Sequence, residues 1–181
     1  IYIAGFFSTK GGNAIGGTLY QRVNPDFVVE AEGIQPFSEE FMGRFLSDRQ
    51  MERGKELRYF YLDNIILRTD GGVLLIAEKY YTTYNTYLNT YGFWVDQKIY
   101  HYDDVIVNSV SSEGELEWSA TVPKRQQAEN PETLSYLDVV AGSNLYLLYS
   151  FQPRKAPSTV YYNEISMDGV VSGRDMLMNH N

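Results

Sequence analysis

The sequence predicts an all-β protein, and three observations carry that expectation. Short runs rich in Val, Ile, Leu, Tyr and Phe recur along the chain, clusters of Gly, Asn, Asp and Ser separate them, and aromatic residues are abundant: 16 Tyr, 9 Phe and 2 Trp among 181 residues. In order, the expected strands are IYIAGFF (1–7), GTLYQRV (17–23), FVVEAE (27–32), NIILRT (64–69), GVLLIAEKYY (72–81), DVIVNSV (104–110), ELEWSATV (115–122), YLDVVAG (136–142), NLYLLYSF (144–151), VYYNEIS (160–166) and VVSGRDML (170–177). Turn residues stand between them at 24–26 (NPD), 69–72 (TDGG), 111–114 (SSEG), 142–144 (GSN) and 167–169 (MDG). DVIVNSV alternates, with Val105, Val107 and Ser109 on one face and Ile106, Asn108 and Val110 on the other. The LLIA and LYLLY cores of 72–81 and 144–151 are apolar on both faces, as inner strands covered on both sides should be.

One segment has a helical period. In PFSEEFMGRFLSDRQMERGK (36–55), Ser38 is placed to cap, Phe37 and Met42 have staple spacing, and Glu39 and Glu40 occupy the positive first turn. Phe41, Met42, Phe45 and Leu46 form one stripe, and Arg49 and Arg53 precede Gly54 at the negative end. The expectation is a single amphipathic helix over 36–54, inserted to plug a flank of the β structure.

The chain also repeats itself. YLDNIILRTDGGVLLIAEKYY (61–81) lies over YLDVVAGSNLYLLYSF (136–151), each giving Tyr-Leu-Asp, an apolar strand, a tight turn and a second strand ending in aromatics. The segments C-terminal to these match too: DVIVNSVSSEGELEWS (104–119) and VYYNEISMDGVVSGR (160–174) each set two strands around an acidic residue and a glycine. IYIAGFF, GTLYQRVNPD and FVVEAE supply an incomplete third copy. A repeated unit of four short antiparallel strands is the pattern of β-propeller blades. The expected organisation is one propeller-like unit over 1–181: a partial blade at 1–32, the helical insertion at 36–54, and blades at 57–126 and 134–177. About two and a half blades cannot close a ring, which takes at least about four, so the chain is expected to be a fragment of a longer one or to associate through open blade edges into a homo-oligomer. Its opening at Ile1, inside an apolar segment, points the same way.

The SEGELEWS segment resembles the third-to-fourth-strand turn of tryptophan-docking and quinoprotein-type propellers, in which a glycine precedes a Trp that packs between blades. Trp118 with Pro123, Lys124 and Gln126 is similar to the ending of uncharacterised bacterial propeller-like repeat proteins with aromatic-rich blades. The resemblance spans most of 1–177 and implies a fold but no transferable activity; Trp118, Lys124 and Gln126 each occur in only one of the units.

Composition narrows the function. With no cysteine, the chain has no thiol nucleophile, disulfide or cysteine-bound metal, and this slightly favours the periplasm or cell surface as its location. Fifteen basic against 23 acidic residues, a net charge of −8, disfavours nucleic acid. The longest apolar runs, GVLLIA (72–77) and NLYLLY (144–149), fall far short of the roughly 18 residues of a membrane helix. In STKGGNAIGGT (8–18) Gly16 is followed by Gly17 where a phosphate loop needs a Lys, and the next segment reads as a strand, so 8–18 is expected to be a long flexible hairpin loop. HYDD (101–104) sets His101 beside Asp103 and Asp104, a set expected to form a solvated turn; His180 stands at the terminus. No cofactor and no metal are expected.

The remaining signal is YYTTYNTYLNTYGFWVDQKIYHY (80–102), which holds nine of the 27 aromatic residues. It is expected to form a long β-hairpin loop, with Tyr84, Tyr87, Tyr91, Trp94 and Tyr100 as the binding residues, because Tyr and Trp offer large contact area with few rotors. The function expected is that of a non-catalytic binding or scaffolding domain for a protein or a glycan. The alternative is a carboxylate-based glycan hydrolase or lyase fragment using Glu78, Asp103, Glu113 and Asp138.

Overall fold

The computed structural model describes residues 1–151 and 159–179. Strands make up 59% of the chain and helix only 7%, all the named sheets are antiparallel, and the all-β expectation holds. His180 lies outside the described residues. The chain divides into two compact units, residues 1–79 with 105–121 and residues 80–104 with 122–181, so the expected 57–126 segment contributes to both.

In the first unit β1 (Tyr2–Phe7), β3 (Gly17–Val23) and β4 (Val29–Pro36) form a three-stranded sheet in the order β1-β3-β4. The two-residue strands β2 (Ala14–Ile15) and β5 (Leu57–Arg58) pair with each other. β6 (Phe60–Leu67), the lower parts of β7 (Val73–Leu88) and β8 (Trp94–Val110), and β9 (Leu116–Val122) make a meander. The two-sided apolar character of β7 has the consequence expected of it. Val73, Leu75, Ile76 and Ala77 are buried, and so are Val105, Ile106, Val107 and Val110, whichever face of β8 they occupy.

The 36–55 segment is a correction. It forms two short helices, α1 (Glu39–Met42) and α2 (Asp48–Glu52), where one helix was expected. Ser38 does cap α1, accepting from Phe41 N–H at 3.2 Å. The helix stops at Gly43, a poor helix former, and Ser47 starts a second one, its N–H donating to Gln50 Oε1 at 2.9 Å. The apolar stripe survives the break. Phe37 and Phe41 are buried, Met42, Phe45 and Leu46 pack beside them, and rings run from Phe6 through Phe37, Phe41 and Phe45 to Phe60 at centroid spacings of 6.1, 5.0, 5.6 and 5.3 Å. The helices plug one side of the unit with aromatic contact, which the stripe alone had indicated.

The segment 8–16 does link the antiparallel pair β1 and β3 as a long hairpin connection, but it is tied down and includes β2. Its first part is held by Glu56, whose carboxylate accepts from Thr9 N–H at 2.8 Å, Thr9 Oγ1–H at 2.7 Å and the Ser8 hydroxyl, and its second part enters β2 and β3. No helix comes after the glycines, in keeping with the rejection of a phosphate loop.

In the second unit β11 (Leu137–Ala141), β12 (Asn144–Phe151), β13 (Thr159–Ile165) and β14 (Asp175–Asn179) form a four-stranded meander. β12 is an inner strand whose Leu145, Leu147 and Tyr149 are buried. The upper parts of β7 and β8 also belong here, with β10 (Gln126–Ala128) paired to Tyr100–Tyr102 of β8.

Five hairpin turns share one geometry. At Asn24–Val28, Arg68–Gly72, Asn89–Phe93, Ser111–Glu115 and Ser166–Val170, the first N–H donates to the fifth carbonyl and the fourth N–H donates back to the first carbonyl. This is the three-residue hairpin loop whose last residue takes positive φ. Gly71, Gly92, Gly114 and Gly169 fill that position, and Phe27, at φ 60°, fills it in the first. Phe27 and Val28 therefore belong to a turn, and β4 begins later than the FVVEAE run. At Gly114 a second constraint applies: a Cβ there would lie 2.6 Å from the Gly33 nitrogen, and one on Gly33 would lie 2.0 Å from the Gly114 carbonyl oxygen.

Candidate binding surface on the long hairpin

Residues 80–102 are strand, not loop, on either side of a tight turn, which corrects the expected loop. Thr and Tyr have high β propensity, so a segment without an apolar-polar alternation still extends the ladder. HYDD lies in β8 as well, and not in a turn. β6 pairs with β7 only as far as Lys79, and β10 pairs with β8 only at Tyr100–Tyr102; above them the hairpin is a two-stranded ribbon.

Strand alternation assigns the side chains to two faces. On one, the Tyr80 and Tyr102 rings lie 5.1 Å apart, Thr86 Oγ1–H donates to Asp96 Oδ1 at 2.5 Å, and Lys98 Nζ stands 4.6 Å over the Tyr100 ring. On the other, Tyr81 stacks on His101 at 4.6 Å with the planes 4° apart, and Thr83 Oγ1 meets His101 Nε2 at 2.8 Å. Burial first, then the Asp103 carboxylate that accepts the Tyr81 hydroxyl proton, push the Tyr81 phenol above its ordinary value. His101 and Asp103 thus share a face and are engaged in holding the ribbon together.

At the tip, Asn89 Oδ1 accepts from Tyr91 N–H and Phe93 N–H, each at 3.0 Å, and Gly92 takes φ 79°. This fixes the turn without help from any neighbouring element. The expected site residues fall into two groups. Tyr84, Tyr87, Tyr91 and Trp94 are exposed, at 65, 44, 83 and 73%, whereas Tyr100 is half-buried beside β10. Leu88 and Phe93 join the exposed group at the tip and were not among the expected site residues. Their places flanking the Thr90-Tyr91-Gly92 loop were the available signal.

The foot of the ribbon is held by the residues that carried the family resemblance. Lys124 is buried, donates to Gln126 Oε1 at 2.6 Å and lies 5.9 and 6.0 Å from the Tyr102 and Tyr136 rings; Gln126 Nε2 donates to the Ser150 carbonyl at 2.6 Å. The carboxylates considered for hydrolysis are spread over the elements. Glu78 is buried in β7 and Glu113 sits in the 111–115 turn of the first unit, while Asp103 and Asp138 lie on β8 and β11 in the second. Among the described residues no three His, Asp or Glu side chains are grouped to hold a metal ion. No protein family, no curated protein and no solved structure matches the chain.

Proposed function

We propose that the chain is a non-catalytic binding or scaffolding domain of propeller-like build, and that the upper part of the β7–β8 hairpin is its contact surface for a protein or a glycan. The observation that carries this reading is the exposure of Tyr87, Leu88, Tyr91, Phe93 and Trp94 around a turn braced by its own hydrogen bonds. Aromatic rings on a hydrogen-bonded ribbon lose little conformational entropy on contact and bury much area, which is what interface anchors require. Two four-stranded meanders and the recurrent turn support the propeller-like build.

The test is a triple variant, Tyr84→Ala with Tyr87→Ala and Trp94→Ala, compared with the parent in pull-downs and on a glycan array. Loss of partners or glycan signals at an unchanged melting temperature is expected. Retention of every partner and every signal would reject the surface.

A second reading, self-association, is favoured by the outer strands. β6 exposes Leu62, Ile65 and Leu67, and β11 exposes Leu137, Val139 and Val140, apolar residues on strands with one open edge. A mass above the monomer by light scattering at high concentration is expected; a monomer there counts against it.

A further inference from the structure

In the first unit a cavity of about 290 Å³ opens beside the helical plug. Its floor is apolar: Leu57 and Phe60 are buried, and Phe45 and Leu46 line it from the helical side. Its rim is cationic, with Lys55, Arg58 and Lys79.

The lining sets three basic residues against one acidic in a chain that carries eight more acidic than basic side chains. Among the described residues Lys55, Arg58 and Lys79 form no ion pair with a carboxylate. Glu56, the one acid in the lining, is already committed. It accepts from Ser8, from Thr9 twice and from Lys10 N–H at 3.4 Å, so its oxygens are hydrogen-bonded to the 8–10 segment. Three cations over an apolar floor thus stand against one carboxylate, and the lining is net positive.

The rim also stores backbone strain. Tyr59 is held at φ 66° between Arg58 and Phe60, its N–H donating to the Asn13 carbonyl at 3.2 Å. A bulky residue in the left-handed region persists only where its surroundings impose it, and such residues gather at ligand sites. The volume lies just below the range of about 300–1,000 Å³ for drug-sized ligand pockets, which suits a smaller molecule.

We infer that this cavity binds a small amphiphilic carboxylate, its apolar body against Phe45, Leu46, Leu57 and Phe60 and its anionic head among Lys55, Arg58 and Lys79. This site is separate from the hairpin surface and does not depend on it.

The probes are 3-phenylpropanoate and its neutral counterpart 3-phenylpropan-1-ol, titrated into the full chain at low salt and followed by two-dimensional amide NMR. The carboxylate is expected to shift the Gln50, Lys55, Tyr59 and Lys79 amides saturably and to bind at least about tenfold more tightly than the alcohol. The exposed pair K55Q/R58Q, and separately K79Q, should each weaken it while circular dichroism stays that of the parent. Equal binding of alcohol and carboxylate, shifts confined to residues away from the cavity, or no shift at millimolar carboxylate would each overturn the assignment.

Discussion

The lower and upper parts of the β7–β8 hairpin are made of the same two strands, mainly aliphatic below and aromatic above, yet their large apolar side chains meet opposite fates. At the bottom Leu75, Ile76, Val105 and Ile106 are removed from water, because β6 and β9 flank them and the aromatic plug covers Ala77 and Ile106. At the top Tyr84, Tyr91 and Trp94 have no third strand beside them among the described residues and are exposed. What lies beside a strand, as well as what the strand is made of, decides burial here. Large apolar side chains are therefore packed at one end and exposed at the other.

The largest effect that can break this contrast comes from truncation. Ile106→Ala or Leu75→Ala should lower the unfolding free energy by about 2–5 kcal/mol in urea titrations, since each leaves a cavity in a packed interior. Trp94→Ala should change it by no more than about 0.5 kcal/mol. A Trp94 cost equal to that of Ile106 would mean that the tip is packed, and the contrast would be lost.

Turn glycines sharpen it next. Gly114→Ala adds a side chain at positive φ and drives it into the Gly33 backbone, so a loss of about 3 kcal/mol is expected in the same titrations. Gly92→Ala at the hairpin tip meets nothing within 4 Å and should cost only the conformational strain, about 1 kcal/mol. Equal losses at the two positions would show that contact between elements contributes nothing at the first.

A tied loop contrasts with the self-braced tip in the same way. Burial acts to raise the Glu56 carboxyl, but hydrogen bonds from Ser8, Thr9 and Lys10 outweigh it and hold the group below the ordinary glutamate value. A depressed folded-state pKa means that this stabilisation is present above the unfolded value, about 4.3, and is lost as pH falls through the folded pKa. Glu56→Gln should therefore cost about 1 kcal/mol at neutral pH and progressively less in acid, read from thermal melts across pH. A cost independent of pH would assign the effect to shape and not to charge.

The smallest expected effect has the opposite sign. Phe27 occupies the turn position that glycine fills in the other four hairpins, and its ring is exposed. Phe27→Gly should stabilise by about 0.5 kcal/mol in urea titrations, the relief of strain exceeding the backbone entropy of glycine. A net loss would indicate that the ring has a folding contact.

Much of the fold could be read from residues. The strands, the turn positions, the Ser38 cap and the Phe41-Met42-Phe45-Leu46 stripe all come from periodicity and turn chemistry. The break at Gly43 was hidden because the stripe keeps helical spacing across it, while the Ser47–Gln50 interaction that restarts the helix is one spacing among many. The ribbon at 82–99 was hidden for another reason. Its Thr, Tyr and Asn lack an in-out hydrophobic pattern, since neither face is buried, and pattern is the only trace that a covered face leaves in a sequence. For the candidate site, the exposed Tyr84, Tyr87, Tyr91 and Trp94 stand out by aromatic density, but Tyr100 was not separable from them because β10 pairs from a distant part of the chain. The cationic cavity was not legible at all. Lys79 reaches the same opening as Lys55 and Arg58 only after β6 and β7 pair.

The division of the chain into units has a consequence for synthesis. Residues 80–104 belong to the second unit but emerge before residues 105–121, which the first unit needs for completion. A nascent chain thus carries the aromatic ribbon outside the ribosome while the first unit is unfinished and before Gln126–Ala128 has emerged to pair with Tyr100–Tyr102. The Asn89 turn depends only on residues 89–93, so it can form during that interval without waiting for later strands.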